Sequence, residues 1–335
     1  THLLASTAVA RGAFDRTRLA MPAALVAGAA VDLDWLALLG GAETYLNYYR
    51  VATHSLAGAA VVAAATAIAF WQAGRRHPKK PASLAPLFGV SLAAALLHVL
   101  FDVLNPHGVA VLWPFSGRRY AWDLAEMLDP LLLTILLLGW LIPSLLRLVT
   151  EEIGARAERK GMRGWATTTL LLAALYCGGR WYWHGIAVAR LDASVYHGAP
   201  PLRVAALPDS PSPLLWRGLA ETENTYEEIE TPAAATGYFD PSRSMTFFKP
   251  EYSLALENAQ KSAAVQHYVA ASRFPIARVE PLSESDGFPR GGFRVTVRDL
   301  RFGKRSTLVR PVVAIVDLDE RNRVVDERFA FADKN

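Results

Sequence analysis

Apolar residues are concentrated in the first 189 positions of the chain, where long apolar runs alternate with short basic connections. A run of about 20 apolar residues is long enough to cross a bilayer as a helix. Residues 190–335 instead mix charged and apolar positions and contain turns rich in Pro and Ser, as soluble domains do. The pattern therefore predicts a polytopic α-helical membrane domain at 1–189 and a soluble α+β domain at 190–335. The membrane domain is expected to hold about six helices, at 1–14, 19–41, 55–73, 84–104, 127–149 and 165–188.

The soluble domain is expected to contain a mostly antiparallel sheet. A loop rich in Pro is predicted at 199–213 and one helix at 251–272. No internal repeat and no phosphate-cradling glycine pattern is present in the sequence. Strand character is found at 225–231, 293–297, 308–316 and 323–329.

Basic residues give the orientation of the membrane domain. Of its 16 Lys and Arg residues, 12 lie at 11–18, 75–80 and 147–163, beside apolar runs. Cytoplasmic loops are enriched in Lys and Arg, so these connections are expected in the cytoplasm, with the C-terminal domain outside. The pI of about 9.2 thus reflects membrane topology and does not indicate a nucleic-acid partner. A single cysteine, Cys177, excludes disulfides and cysteine metal sites within the chain.

Ionisable residues among the apolar runs are the strongest functional signal, because charge at membrane depth is costly. His98 and Asp102 are four residues apart and share one face of a helix. The helical rise from Lys80 to this pair is roughly 27–33 Å, which brings them to the outer face. We expect the following residues to converge there: His2, Asp32, Asp34, His54, His98, Asp102, His107 and Asp123.

This group predicts a metal site. Imidazole and carboxylate ligands without thiolate suit Zn²⁺, with Mn²⁺ or Fe²⁺ as alternatives, and several carboxylates could bridge two ions. Arg50, Arg118 and Arg119 lie on the same outer face, where they could clamp a phosphate. The remaining histidines have no acidic companion at useful spacing or lie in a basic loop, and they are expected to be structural or solvated: His77, His184, His197 and His267.

The order of motifs resembles the YdjM-like family of LexA-regulated, inner-membrane metal-dependent hydrolases. These motifs are THLLAS at the start, DLD near the end of the second apolar run, RxxTHS opening the third, HxxxD closing the fourth, and then G…WPF…D…DP. The family is in turn thought similar to the zinc-dependent phospholipases C, so the resemblance implies a site of that type. It also implies a multi-pass protein of the bacterial inner membrane that binds one to three zinc ions. The ligands that it implies are His2, Asp34, His54, His98 and Asp102, with Asp32 as a further ligand or a supporting residue.

Together these signals predict hydrolysis of a phosphoester in a lipid or lipid-linked substrate. Asp32 or Asp123 is expected to accept a proton or orient a ligand, and Arg50 to contact the phosphate.

One alternative is an amidase or esterase with the same site. Another is a metal or proton transporter, although the runs at 55–73 and 132–146 are nearly free of ionisable groups. A third is an envelope scaffold whose C-terminal domain binds a partner that the sequence does not identify.

Overall fold

Helices precede strands along the chain, as the apolar pattern predicts. The computed structural model describes residues 1–78, 80–152, 159–208, 212–234, 239–282, 291–303 and 310–332. Over these residues, seven α-helices come before the first strand, and a 3₁₀ helix at Val31–Gly40 joins the second to the third. The helices are α1 (His2–Ala13), α2 (Ala20–Ala30), α3 (Gly41–Tyr48), α4 (Leu56–Gly74), α5 (Leu84–Val103), α6 (Pro130–Glu152) and α7 (Arg159–Asp192).

Four helical stretches of the described residues are long and apolar enough to cross a membrane, whereas the sequence predicts about six helices that cross. α1 has 12 residues, or roughly 18 Å of rise, which is less than the hydrocarbon core of a bilayer. α7 has 34 residues but a much lower mean hydropathy, because basic residues interrupt it. The four stretches are Ala20–Tyr48, Leu56–Gly74, Leu84–Val103 and Pro130–Val149.

Small residues hold the first helices close together. Ala23 and Ala27 of α2 are fully buried against Leu87 and Ala94 of α5. Alanines allow helix backbones to approach closely, and this packing does not depend on water leaving the interface. The close approach brings the end of α2 beside the end of α5, where the ionisable residues lie.

The basic connections meet at one end of these helices. Arg18 Nη1 donates to the carbonyl of Lys80 at 3.0 Å, and Lys80 Nζ donates to the carbonyl of Arg16 at 2.7 Å. The basic connection at 75–80 joins the end of α4 to the start of α5. His54 instead precedes the start of α4, and Asp102 lies at the end of α5. The structure thus separates the basic connections from the ionisable group by the length of a helix, as the sequence predicts.

Asp129 caps the N-terminus of α6, which begins at Pro130 within the predicted helix at 127–149. Its Oδ1 accepts hydrogen bonds from the backbone N–H groups of Leu131 and Leu132 at 3.1 and 2.9 Å. The Tyr176 hydroxyl also donates to the carboxylate, at 2.7 and 2.9 Å. A carboxylate at a helix N-terminus satisfies amides that have no partner within the helix.

Two four-stranded antiparallel sheets form the C-terminal part, each with its strands in chain order. Buried side chains from both sheets, including Leu219 and Tyr226 of the first and Ile276 of the second, share one core. The first sheet contains β1 (Arg203–Leu207), β2 (Leu215–Glu221), β3 (Thr225–Pro232) and β4 (Met245–Phe248). The second contains β5 (Pro275–Pro281), β6 (Phe293–Asp299), β7 (Val312–Leu318) and β8 (Val324–Phe331).

Two sequence predictions for this part need correction. The single helix expected at 251–272 is two helices, α8 (Leu254–Gln260) and α9 (Ala263–Ala271), because Ser262 caps the second one. Its hydroxyl accepts from the backbone N–H of Val265 at 3.3 Å. The predicted loop at 199–213 contains β1. Three of the four predicted strands are confirmed in β3, β6 and β8; the fourth begins at Val312, and 304–309 lie outside the described residues.

The chain divides into two compact units. The helical unit comprises Thr1–Leu36, Tyr48–Gly185 and Ser210–Leu214, and the strand unit comprises Ala37–Asn47, Ile186–Asp209 and Leu215–Asn335. The division at Gly185 falls within α7, four residues before the predicted domain boundary.

Candidate metal centre

Four side chains from three segments of the helical unit converge on one point. Asp32 lies on the 3₁₀ helix, His54 in the connection before α4, and His98 and Asp102 near the end of α5. Each contributes one potential ligand atom, and these four atoms lie within 4.8 Å of one another. The i, i+4 spacing of His98 and Asp102 places both on one helix face, as predicted.

Two of the four distances within this group match those between tetrahedral ligands of a single ion, one is slightly longer and one is shorter. Asp102 Oδ2 is 2.8 Å from His54 Nε2 and 3.4 Å from His98 Nε2. Asp32 Oδ1 is 3.4 Å from His98 Nε2 and 3.8 Å from His54 Nε2. Ligands bound at about 2.0–2.2 Å in a tetrahedral site are separated by roughly 3.3–3.6 Å.

Both imidazoles are oriented by acceptors behind them. His98 Nδ1 lies 2.6 Å from the carbonyl oxygen of Gly28, and His54 Nδ1 lies 2.8 Å from Asp34 Oδ2. A proton held on Nδ1 leaves the lone pair of Nε2 for a metal, which is the usual arrangement of a metal-binding histidine. His54 Nε2, His98 Nε2 and Asp102 Oδ2 are buried and make no hydrogen bond of good geometry. The residues present therefore fit a divalent ion.

Asp102 is the centre of the group. Its Oδ1 accepts from Arg50 Nη2 at 3.0 Å, while its Oδ2 faces the imidazoles. Arg50 is itself buried, and its Nη1 donates to Asn105 Oδ1 at 2.6 Å. The guanidinium therefore fixes the carboxylate and neutralises part of the buried negative charge.

The carboxylates around His54 favour positive charge at this position. Burial would lower the pKa of His54, but the carboxylates of Asp102 and Asp34 outweigh it and raise this pKa above its ordinary value. The His54, His98 and Asp102 side chains are at most 2% exposed, whereas that of Asp32 is 43% exposed. The group is thus closed on three sides and open beside Asp32, and catalytic metal sites keep such an open position.

The two aspartates of the DLD motif take different positions. Asp32 belongs to the group of four, and Asp34 lies behind His54, where Oδ2 also accepts from the backbone N–H of Arg50 at 2.6 Å. Consecutive residues of a 3₁₀ helix turn by about 120°, so positions i and i+2 project in different directions.

The structure places other predicted site residues beside the group of four. His2 Nε2 is 3.5 Å from Asp102 Oδ1, and the His2 ring stacks on His98 with centroids 3.9 Å apart. His107 follows α5, and its backbone N–H donates to Asn105 Oδ1 at 3.0 Å. His2 therefore adjoins the group, whereas His107 contacts the residue that supports Arg50.

Asp123 and the two later arginines lie on the segment that follows α5. Asp123 is buried with a left-handed φ of 55°, one residue before Leu124, whose N–H donates to the carbonyl of Leu104 at 2.6 Å. Arg119 Nη1 donates to the carbonyl of Tyr49 at 3.1 Å, and Arg118 is exposed. None of these three belongs to the group of four among the described residues.

Gly58 is a supporting residue that the sequence analysis does not identify. Ser55 caps α4 by accepting from the N–H of Gly58 at 2.9 Å, which folds the His54 connection onto the helix. A Cβ on Gly58 would lie 1.9 Å from the carbonyl oxygen of Ala52. The signal available in the sequence is a cap serine followed three residues later by glycine.

Replacing Gly58 with alanine is expected to displace the connection that carries His54. Because the clash is with backbone, we expect a loss of about 1–3 kcal/mol in stability and a reduced metal content. Metal analysis and thermal unfolding of the detergent-purified chain measure both. Gly178→Ala is the matched control, since a Cβ there meets nothing within 4 Å. Equal metal content and melting temperature in the two variants would contradict the role assigned to Gly58.

A model of the family described as YdjM inner membrane protein matches residues 1–187, which include every member of the group of four. Searches among curated proteins and among solved structures gave no match. The match covers more than half of the chain and leaves most of the strand unit outside it.

Proposed function

The chain belongs to the YdjM inner membrane protein family, and from that premise we propose that it is a metal-dependent hydrolase acting on a lipid or lipid-linked phosphoester. One observation carries the proposal. Buried ligand atoms of His54, His98 and Asp102 converge without hydrogen-bond partners of their own, beside an exposed carboxylate. A divalent ion bound there would supply a Lewis acid that makes water nucleophilic near neutral pH.

The residues around this point have separate roles. Asp32, His54, His98 and Asp102 would hold the ion, while Asp34 and the Gly28 carbonyl orient the imidazoles. Asp32 Oδ1 is the oxygen near both imidazoles, and the side chain is 43% exposed, so Oδ2 would be the oxygen to accept the proton released during hydrolysis.

Arg50 supports Asp102 in this scheme, because its guanidinium already binds Asp102 and Asn105. The exposed Arg118 is then the better candidate to contact a phosphate. We assign one ion to this centre, because Arg50 already supplies the positive charge beside Asp102 Oδ1, where a second ion would otherwise bind. A similarity to zinc-dependent phospholipases C is part of this proposal.

The segment beside the site supports a lipid substrate. Val111 accepts from the N–H of Leu56, two residues after His54, so the segment that follows begins next to the metal centre. Within it, Leu112 and Trp113 are exposed and Phe115 is 93% exposed. Exposed aromatic and apolar residues beside arginines are typical of segments that lie in the membrane interface.

The proposed topology places the metal centre toward the outer leaflet. The basic connections at 11–18 and 75–80 contact each other at the far end of the helices, and such connections favour the cytoplasm. The strand unit is then extracytoplasmic.

A substrate panel tests the proposal. Purified, zinc-loaded protein is mixed with phospholipids, lipid phosphates, and lipid amides and esters, and the products are measured with wild type and His98→Ala. We expect phosphoester cleavage that falls at least a hundred-fold in His98→Ala and is unchanged in the control His77→Ala, an exposed histidine of a basic connection. Cleavage restricted to amides or esters would support the alternative chemistry. Full metal content without turnover of any substrate would contradict hydrolysis and favour a scaffold.

A further inference from the structure

A second group of polar side chains lies in the strand unit, outside the family match. It comprises Glu227 on β3, Ser244 and Thr246 at the start of β4, and His197 in the turn at 196–199. Glu227 and Thr246 are paired across the two strands. We call these four residues the β3–β4 group.

Glu227 is a buried carboxylate with one unused oxygen. Its side chain is 0% exposed, and Oε2 accepts from Ser244 Oγ at 2.6 Å and from Thr246 Oγ1 at 2.8 Å. Oε1 is also buried and has no hydrogen-bond partner among the described residues. A buried carboxylate oxygen without a partner is unfavourable unless a cation or another donor reaches it.

Positive charge near this carboxylate is scarce. Among the described residues, the one basic side chain within 4.0 Å of Glu227 is His197, whose Nε2 is 3.6 Å from Oε2. A buried carboxylate usually pairs with a full charge or coordinates a metal.

The turn at 196–199 holds His197 against the strands. Tyr196 and Ala199 exchange two backbone hydrogen bonds of 2.9 Å, and His197 and Gly198 between them have φ values of 49° and 84°. Two central residues with positive φ make the tight turn that is common in hairpins. Tyr196 is buried, so the turn that carries His197 is anchored by its first residue.

We propose that the β3–β4 group binds a divalent transition-metal ion through His197 Nε2, the Glu227 carboxylate and Thr246 Oγ1. The separations are 3.0 Å from Nε2 to Thr246 Oγ1, 2.8 Å from Oγ1 to Glu227 Oε2, and 3.6 Å from Nε2 to Oε2. The three side chains are thus close enough to contact one ion together, and Glu227 Oε1 is the carboxylate oxygen that no hydroxyl occupies. Imidazole with carboxylate favours Zn²⁺ or Mn²⁺ over Ca²⁺, and the 58% exposed His197 marks the side on which water completes the shell.

Zinc stoichiometry of the full-length protein tests this site. The purified chain is loaded with Zn²⁺, freed of weakly bound ions with a mild chelator, and its zinc content is measured for wild type, His197→Ala and Glu227→Gln. Each variant is expected to hold one zinc equivalent fewer than wild type. His197 is exposed and Gln keeps an oxygen for both hydroxyls, so neither change should disturb the fold.

His267→Ala is the matched control, because His267 is another exposed histidine of the strand unit and contacts Phe329. It should keep the wild-type zinc content, and excess Ca²⁺ should not displace the ion that His197 holds. Unchanged zinc in both His197→Ala and Glu227→Gln would overturn the proposal, leaving His197 as a simple partner of Glu227. An equal loss in His267→Ala would also overturn it, by indicating surface binding. His98→Ala is expected to remove the zinc ion of the helical unit and not that of the β3–β4 group, so the two metal sites are tested separately.

Discussion

Asp102→Asn is expected to remove the ion from the helical unit and to lower hydrolytic activity by at least about 10³-fold, since the bound ion supplies several kcal/mol of transition-state stabilisation. The carboxylate contacts His54 and His98 through Oδ2 and Arg50 through Oδ1. An amide at this position cannot supply the negative charge that all three contacts need. Metal analysis and the lipid assay measure the two losses independently.

The same variant should also lose stability, because the buried guanidinium of Arg50 is left without its counter-charge. Breaking a buried ion pair from one side costs about 3–5 kcal/mol. Adding Arg50→Met to Asp102→Asn should recover part of the melting temperature but none of the metal. Asp15→Asn, the same substitution at an exposed position, serves as the control. An Asp102→Asn protein that retains its ion would refute the assignment of Asp102 as a ligand.

Asp34→Asn is expected to weaken zinc binding by about 10–100-fold while leaving the stoichiometry intact at saturating zinc, as removal of a supporting hydrogen bond to a metal-bound histidine does. The reason is that Asp34 contacts the far nitrogen of His54. Asp32→Asn is the matched comparison: it should reduce affinity further and also lower kcat, because Asp32 lies on the ligand side.

Zinc affinity measured by competition with a coloured chelator separates these roles. The family resemblance implies Asp34 as a direct ligand, and the geometry favours Asp32. If Asp34→Asn lost its ion at every zinc concentration while Asp32→Asn kept it, the assignment derived from the structure would be reversed.

Local spacing determines how much of the site can be predicted from the sequence. His98 and Asp102 share a helix face because they are four residues apart, and that relation does not depend on any other element. Spacing alone does not show which of Asp32 and Asp34 faces the ligands, because their directions depend on a 3₁₀ helix that the apolar run at 19–41 does not indicate. The support of His98 by the Gly28 carbonyl arises from tertiary packing, as does the pairing of Arg50 with Asn105.

The elements of the fold also divide into those that the local sequence predicts and those that depend on caps, turns or tertiary packing. Long apolar runs predict α4 and α5 well, since length and hydropathy alone decide whether a helix can cross a bilayer. The separation of α8 from α9 depends on a serine cap, and β1 lies in a stretch that reads as loop because prolines surround it. His197 and Glu227 are 30 positions apart in the chain, and pairing of β3 with β4 together with the turn at 196–199 brings them together.

The origin of the metal ligands in three chain segments has a consequence for folding. Asp32, His54 and Asp102 span about seventy residues, so an ion that joins them acts as a cross-link that closes two long loops at once. Closing such loops restricts the unfolded chain, and binding free energy then becomes folding free energy. The helical unit would therefore be more stable with the ion than without it, so the amount of folded protein would follow the supply of metal.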